Sequence, residues 1–278
     1  MRIIKFVAPL ATFLLFASIP SFSQTSTTPA PAKPKSSTPA KTPKPAASPY
    51  DRTLLKPALL KDKAPDTYQV KFETTRGDFT VTVTRAWAPF GADRFYNLVK
   101  HHYYDGARVY RVIQGFVAQF GISAYPPVNA AWQTATIKDD PVTQKNKRGT
   151  LTFAKTQNPN SRTTEIFINL RDNSKDNPSL STSLDAQGFA PFAVVDGKGM
   201  SVVDMFYDQY PDPAMSATPE VPGMIRGGEK YIATKFPKLD TIKSASLVGD
   251  ASASPVKPAS KPVAAASPKP ATPSKPQQ

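Results

Sequence analysis

The chain contains no cysteine and only two histidines among its 278 residues. Without thiols there is no cysteine nucleophile, no disulfide and no thiolate-based zinc site. The histidines, His101 and His102, are neighbours, and on a helix adjacent side chains point about 100° apart, so the pair cannot converge on one metal. Glycine-rich phosphate loops, a nucleophile elbow and a base-paired serine are also missing. The adjacent acids Asp139 and Asp140 read as solvated loop residues. Hydrolytic, thiol and phosphoryl chemistry have no groups to work with, and no metal or cofactor is called for. Long apolar runs are absent too. Only Phe6 to Ile19 forms a predominantly apolar run, which is short for a mature membrane span.

What the chain has instead is proline and lysine, unevenly spread. Residues 24–50 and 249–278 each hold seven of the 30 prolines, with Ala, Ser, Thr and Lys making up most of the rest. Segments of that kind bury too little apolar surface to offset the entropy of ordering, so disordered tails of polyproline II character are expected. The first 23 residues pair Arg2 and Lys5 with the apolar run and then small residues, the pattern of a cleaved export signal. Of the net charge of +14, the signal carries +2, residues 24–50 +4 and residues 249–278 +3, leaving +5 for the part between. The expected organisation is a signal peptide 1–23, a disordered linker 24–66, one folded domain 67–248 and a disordered tail 249–278. The protein is expected to be exported, to the periplasm or beyond, with no stable membrane insertion after signal removal. Nucleic acid is not an expected partner. A weak attraction of the basic tails to anionic envelope components is expected.

Within the domain, Tyr68, Val70 and Phe72 alternate with polar residues, as do Phe79, Val81 and Val83 after Arg76-Gly77-Asp78. Alternation on both sides of a glycine turn predicts a β-hairpin with one buried face, and makes the Arg-Gly-Asp triplet a turn rather than an adhesion motif. Pro89 opens a helix carrying Phe95, Leu98, Val99 and His102 on one face. Short strands follow at 109–113, 117–121, 150–154, 165–170 and 190–195, a second helix at about 199–208, and a last strand at 241–248. The Pro- and Gly-rich residues 209–238 read as a surface insertion. Many short strands with two helices predict a mainly β fold, a closed antiparallel barrel capped at its ends.

One stretch stands out: Val109-Tyr110-Arg111-Val112-Ile113-Gln114-Gly115-Phe116-Val117-Ala118-Gln119. An arginine inside an apolar β-pattern needs partners or a function. The stretch resembles the cyclophilin signature, usually Phe-His-Arg-Val-Ile-Pro-Gly-Phe-Met-x-Gln-Gly-Gly. Gly149 to Ala154, Asn160 to Asn169, Thr74 to Asp78, Phe95 to Val99, and Leu184-Asp185 with Phe189 to Val195 are similar to further cyclophilin blocks in the same order. The resemblance implies an eight-stranded cyclophilin-like barrel and peptidyl-prolyl cis/trans isomerase activity on proline-containing segments of exported polypeptides, assisting their folding. It implies Arg111 as the catalytic residue. Phe116, Val117, Phe167 and Leu184 would line the proline pocket, with Gln119, Ala154, Glu165 and Phe189 also contacting substrate.

Such a reaction suits this chain's poverty in reactive groups. Rotating an Xaa-Pro amide breaks no bond, but it must overcome a barrier of ~18–20 kcal/mol. A fixed guanidinium can bind the nitrogen lone pair that appears as conjugation is lost. The sequence departs from the family at Gln114, at Phe120-Gly121, at Val117, at Lys155 and at Glu165, where glutamine is usual. A carboxylate at 165 is expected either to pair with Arg111, weakening it, or to select substrates with a basic residue near the proline. The alternative function is a catalytically weak module that binds proline-containing segments without turning them over.

Overall fold

A computed structural model describes residues 48–213 and 220–249. The expected signal peptide and most of both expected tails lie outside the described residues.

The hairpin forms where alternation placed it. β1 (Thr67–Thr74) and β2 (Gly77–Thr84) pair in register from Thr67↔Thr84 to Thr74↔Gly77. Asp240 braces the turn between them, accepting from Thr75 Oγ1 at 2.7 Å and Arg76 Nε at 2.8 Å. The arginine of the Arg-Gly-Asp triplet, though exposed, is thus engaged in an ion pair within the chain. β3 (Arg111–Ile113), β4 (Val117–Phe120), β5 (Thr150–Phe153), β6 (Ile166–Asn169), β7 (Pro191–Val195) and β8 (Ile242–Leu247) complete one antiparallel sheet of order β3-β4-β6-β5-β7-β2-β1-β8.

The expected closed barrel is open. The sheet curls into a half-barrel whose ladder ends at β3 and β8. An isolated bridge, Arg108↔Thr241, spans the gap, helped by Val109 N–H donating to Asp240 O at 2.9 Å and Ile242 N–H to Ala107 O at 2.8 Å. β3 is only three residues long, and Tyr110 N–H already turns to Gln119 O of β4, so the seam has no room to become a ladder. A short edge strand also offers little to a neighbouring chain.

The concave face holds the core, where Phe72, Phe95, Tyr104, Phe120, Phe153 and Phe192 are fully buried and, with Phe79, meet in stacked, tilted or edge-on pairs at 4.9–6.2 Å. Helix α1 (Pro89–Lys100) lays Phe95, Leu98 and Val99 on this core. Its own N-cap, Ala88, has no side-chain acceptor. Asp140 supplies one from a distant loop, accepting from Phe90 N–H at 3.0 Å and Gly91 N–H at 2.8 Å where the helix leaves its first donors unpaired. Asp139 pairs with the buried guanidinium of Arg162. Both acids are structural, not the solvated loop residues expected. His102, expected on the helix face, lies past the helix end with a left-handed φ of 58°.

Three further expectations change. More than two helices are present among the described residues. Besides α1 and α3 (Gly199–Val203, shorter than the stretch expected), there are α2 (Pro126–Trp132) and α4 (Glu220–Lys235), which is kinked at Gly228. A Cβ at Gly228 would lie 2.4 Å from Ala124 O, so the kink rests on a contact only glycine permits. The expected surface insertion has a small apolar cluster of its own: Met224, Ile232 and Leu239 bury themselves against Tyr110 and Ile122 of the sheet region. Finally, residues 51–66 were expected to belong to the disordered linker, yet they pack on the barrel. Leu54 is buried and its carbonyl accepts from Trp132 Nε1 at 2.8 Å, while Asp51 and Thr53 both reach His101 Nδ1. A few anchors in a lysine-rich stretch outweigh its average composition.

Candidate active site

β3, β4 and β6 have two faces, and successive side chains alternate between them. Val112, Ala118, Phe120, Ile166 and Ile168 point into the core. Arg111, Val117, Gln119 and Phe167 therefore point the other way. The register sets them side by side, with Arg111 opposite Gln119 and Gln119 opposite Phe167. On this outer face Val117, Phe167 and Leu184 form a separate buried cluster, with Phe116, Ala154 and Phe189 packed around it. Phe116, Val117, Phe167 and Leu184 are the residues expected to line the proline pocket, and Ala154 and Phe189 are among those expected to contact substrate; all six converge although they come from five separate stretches of chain.

Loop residues hold the far wall. Leu184 N–H donates to Asn173 O at 2.9 Å and Phe189 N–H to Leu184 O at 3.1 Å. Asn146 Nδ2 donates to Phe189 O and to Asp185 Oδ1, each at 2.8 Å. Phe167 and Phe189 meet edge-on at 5.6 Å. Lys155 Nζ stands 5.4 Å from the Phe189 ring centre, placing a cation on that rim.

Arg111 stands at the opposite rim, its guanidinium carbon 5.7 Å from the Phe116 ring centre. Its Nη1 donates to Gln119 Oε1 at 3.2 Å, and its Nε and Nη2 donate to the two carboxylate oxygens of Asp212 at 2.7 and 2.8 Å. Of the two roles expected for Glu165, the pairing with Arg111 is not found. Glu165 Oε2 instead accepts from Tyr110 O–H and, at 3.1 Å, from Gln119 Nε2. Burial pushes the Glu165 carboxyl above the ordinary range, while the Tyr110 and Gln119 hydrogen bonds pull it back. Gln119 thus links the two ends, its amide nitrogen on Glu165 and its oxygen on Arg111.

Gly121, which stands in place of the family's second glycine, has a φ of +118°, and a Cβ there would meet Thr164 O at 2.5 Å. That close approach carries β4 past the loop bearing Glu165. Asp212 and Tyr110 are the site residues that sequence reasoning passed over. Asp212 sits between Pro211 and Pro213 in the insertion, and nothing in its spacing points to an arginine in β3.

The model of the family described as cyclophilin type peptidyl-prolyl cis-trans isomerase/CLD matches residues 69–225. The chain belongs to the cyclophilin family. Among curated relatives, a peptidyl-prolyl cis-trans isomerase of Acinetobacter baylyi is 35% identical over 136 residues, covering 49% of this chain and 69% of that protein. Peptidyl-prolyl cis-trans isomerase B of Escherichia coli is 37% identical over 137 residues, covering 49% and 81%. A crystal structure of a Cryptosporidium parvum cyclophilin type isomerase superposes with a TM-score of 0.46 at 17% identity, covering 65% of this chain and 97% of that one. Membership rests on the sequence matches. In this cyclophilin the matched region includes every outer-face residue named above and Asp212 as well.

Proposed function

We propose that this cyclophilin isomerises Xaa-Pro bonds, with Arg111 as the catalytic residue and the Val117–Phe167–Leu184 hollow as the seat of the proline ring. The observation that carries the reading is the juxtaposition on one sheet face of a buried apolar cluster and a guanidinium. Phe116, Val117, Ala154, Phe167, Leu184 and Phe189 exclude water from the ring, and Gln119 and Glu165 border the peptide beside it. As the amide twists, its nitrogen gains a lone pair, and an N–H of Arg111 can bind that lone pair only in the twisted form. This interaction lowers the barrier without deepening the ground state. The twisted amide is neutral, so the site must supply a well-aimed donor more than a net charge.

The substrates in this reading are proline-containing segments of exported polypeptides, whose folding the enzyme assists. The basic, apolar and small-residue pattern of residues 1–23 supports a periplasmic or extracellular location, and the lysine-rich tails support a weak attraction to anionic envelope components. Among the described residues no helix is long and apolar enough to cross a membrane.

A second reading, a weak or silent module that only holds proline segments, draws support from the acid paired with Arg111. The test is NMR exchange on an Ala-Pro peptide with the full chain. We expect Arg111→Ala to slow isomerisation by about 10²–10³-fold while peptide affinity and melting temperature stay close to wild type. Equal exchange rates for wild type and Arg111→Ala, with peptide still bound, would leave the binding module as the function.

A further inference from the structure

The geometry points to Asp212 as a positioning residue for this reaction, one that holds the Arg111 guanidinium by one edge so that its other edge faces the substrate. The inference rests on the proposal that Arg111 touches the Xaa-Pro amide nitrogen of a bound proline peptide.

Donor counting separates holding from blocking. A guanidinium has five N–H groups in a rigid plane. Asp212 takes one from Nε at 2.7 Å and one from Nη2 at 2.8 Å, and Gln119 takes one from Nη1 at 3.2 Å. Among the described residues, two N–H groups are left without a partner, one on each terminal nitrogen. A carboxylate on the Nη1/Nη2 edge would have consumed the donors a substrate needs. Seated on the Nε/Nη2 edge, it fixes the plane by two parallel bonds and leaves donors over.

The segment that delivers the carboxylate is itself constrained. Pro211 and Pro213 flank Asp212, locking two φ angles and biasing the residues before them to extended backbone. One residue upstream, Tyr210 is wedged between Tyr207 and Phe236 at ring distances of 5.1 and 5.2 Å, and its hydroxyl accepts from Lys238 N–H at 3.3 Å. The Arg111 and Asp212 side chains are only 16% and 17% exposed, so water competes little for the pair. Charge neutralisation costs little in this reaction because the twisted amide carries no net charge. A guanidinium wrongly rotated loses the hydrogen bond altogether.

The test uses the full chain with Asp212→Ala and Asp212→Asn, alongside Arg111→Ala, measured by NMR exchange on an Ala-Pro peptide. We expect Asp212→Ala to lower the turnover constant by about tenfold with peptide Kd little changed. Asp212→Asn, which still accepts from one guanidinium nitrogen, should fall between. The Arg111 Nε–Hε resonance should be sharp in wild type and broadened by exchange in Asp212→Ala. If Asp212→Ala melts below the assay temperature, Asp212→Asn carries the same comparison. Turnover equal to or above wild type in the Asp212 variants overturns the inference, and so does a loss of turnover matched by an equal loss of peptide affinity with the Hε signal unmoved. An unaffected rate in Arg111→Ala would instead overturn the parent assignment, so the two failures are told apart.

Discussion

The two faces of β4 and β6 are made from nearly the same residue types and do different work. Inside, Phe120, Ile166 and Ile168 have no exposed surface and are pressed between aromatic rings from several elements. Outside, Val117 and Phe167 are almost as well covered, at 2% and 5% exposure, but by a handful of loop side chains and with a guanidinium at the rim. The inner face is closed by the chain's long-range topology. The outer one is closed by loops tied together through Asn146, Asn173 and Asp185. Apolar burial alone therefore does not distinguish a core from the hollow proposed to seat the proline ring. What distinguishes them is whether the covering groups belong to the sheet and its helices or to loops that can leave room for a ligand.

The largest effect should come from the inner face. Phe120→Ala is expected to cost about 3–5 kcal/mol of stability, read by denaturant titration, while the fraction still folded binds the Ala-Pro peptide normally. Phe167→Ala, on the outer face of the neighbouring strand, should cost only about 1–2 kcal/mol yet lower kcat/KM by about 10- to 100-fold. If the two variants lose stability equally and activity equally, the distinction between the faces collapses. The smallest effect sharpens the comparison electrostatically. Burial lifts the Glu165 carboxyl above its ordinary value of 4.5, so from about that pH upward the folded chain holds its proton more tightly than the unfolded one. The stability linked to Glu165 is therefore greatest at the acid end of that window and drains away as pH rises through it. Glu165→Gln removes this drain. Its melting temperature should exceed that of wild type at pH 7, and the gap should close toward pH 4. A gap that is constant with pH would mean that Glu165 is not strained by burial.

Local pattern carried much of this molecule into view from the sequence. The β1–β2 hairpin needed only period-two alternation and a turn. Arg111 stood out as a charge inside an apolar strand pattern, and Phe116, Val117 and Phe167 were implied by the resemblance to the cyclophilin blocks. What stayed hidden depended on contacts between distant residues. The open seam follows from the shortness of β3, which hydrophobic pattern does not encode. α2 is seven residues long and begins with two prolines, too brief to show a period. α4 is broken by Gly227-Gly228 and opens near Pro222-Gly223, so its apolar face at Met224, Ile232 and their neighbours does not read as one helix. Asp212 meets Arg111 across 101 positions, and the acid expected there, Glu165, was drawn away by Tyr110 and Gln119.

The pairing of β1 with β8 has a consequence for how the protein is made. On the edge away from β2, Val70 to Thr74 pair with Ile242 to Leu247, near the other end of the barrel's sequence. Protein synthesis proceeds at about 5–20 residues per second, so β1 waits roughly 10–35 s during synthesis before its outer edge can be covered. Through that interval the nascent sheet has a bare flank, and loop closure of this length is slow in any case. A chain that ends its fold by joining first strand to last cannot mature piecemeal, and truncation anywhere before Leu247 leaves the whole sheet unfinished.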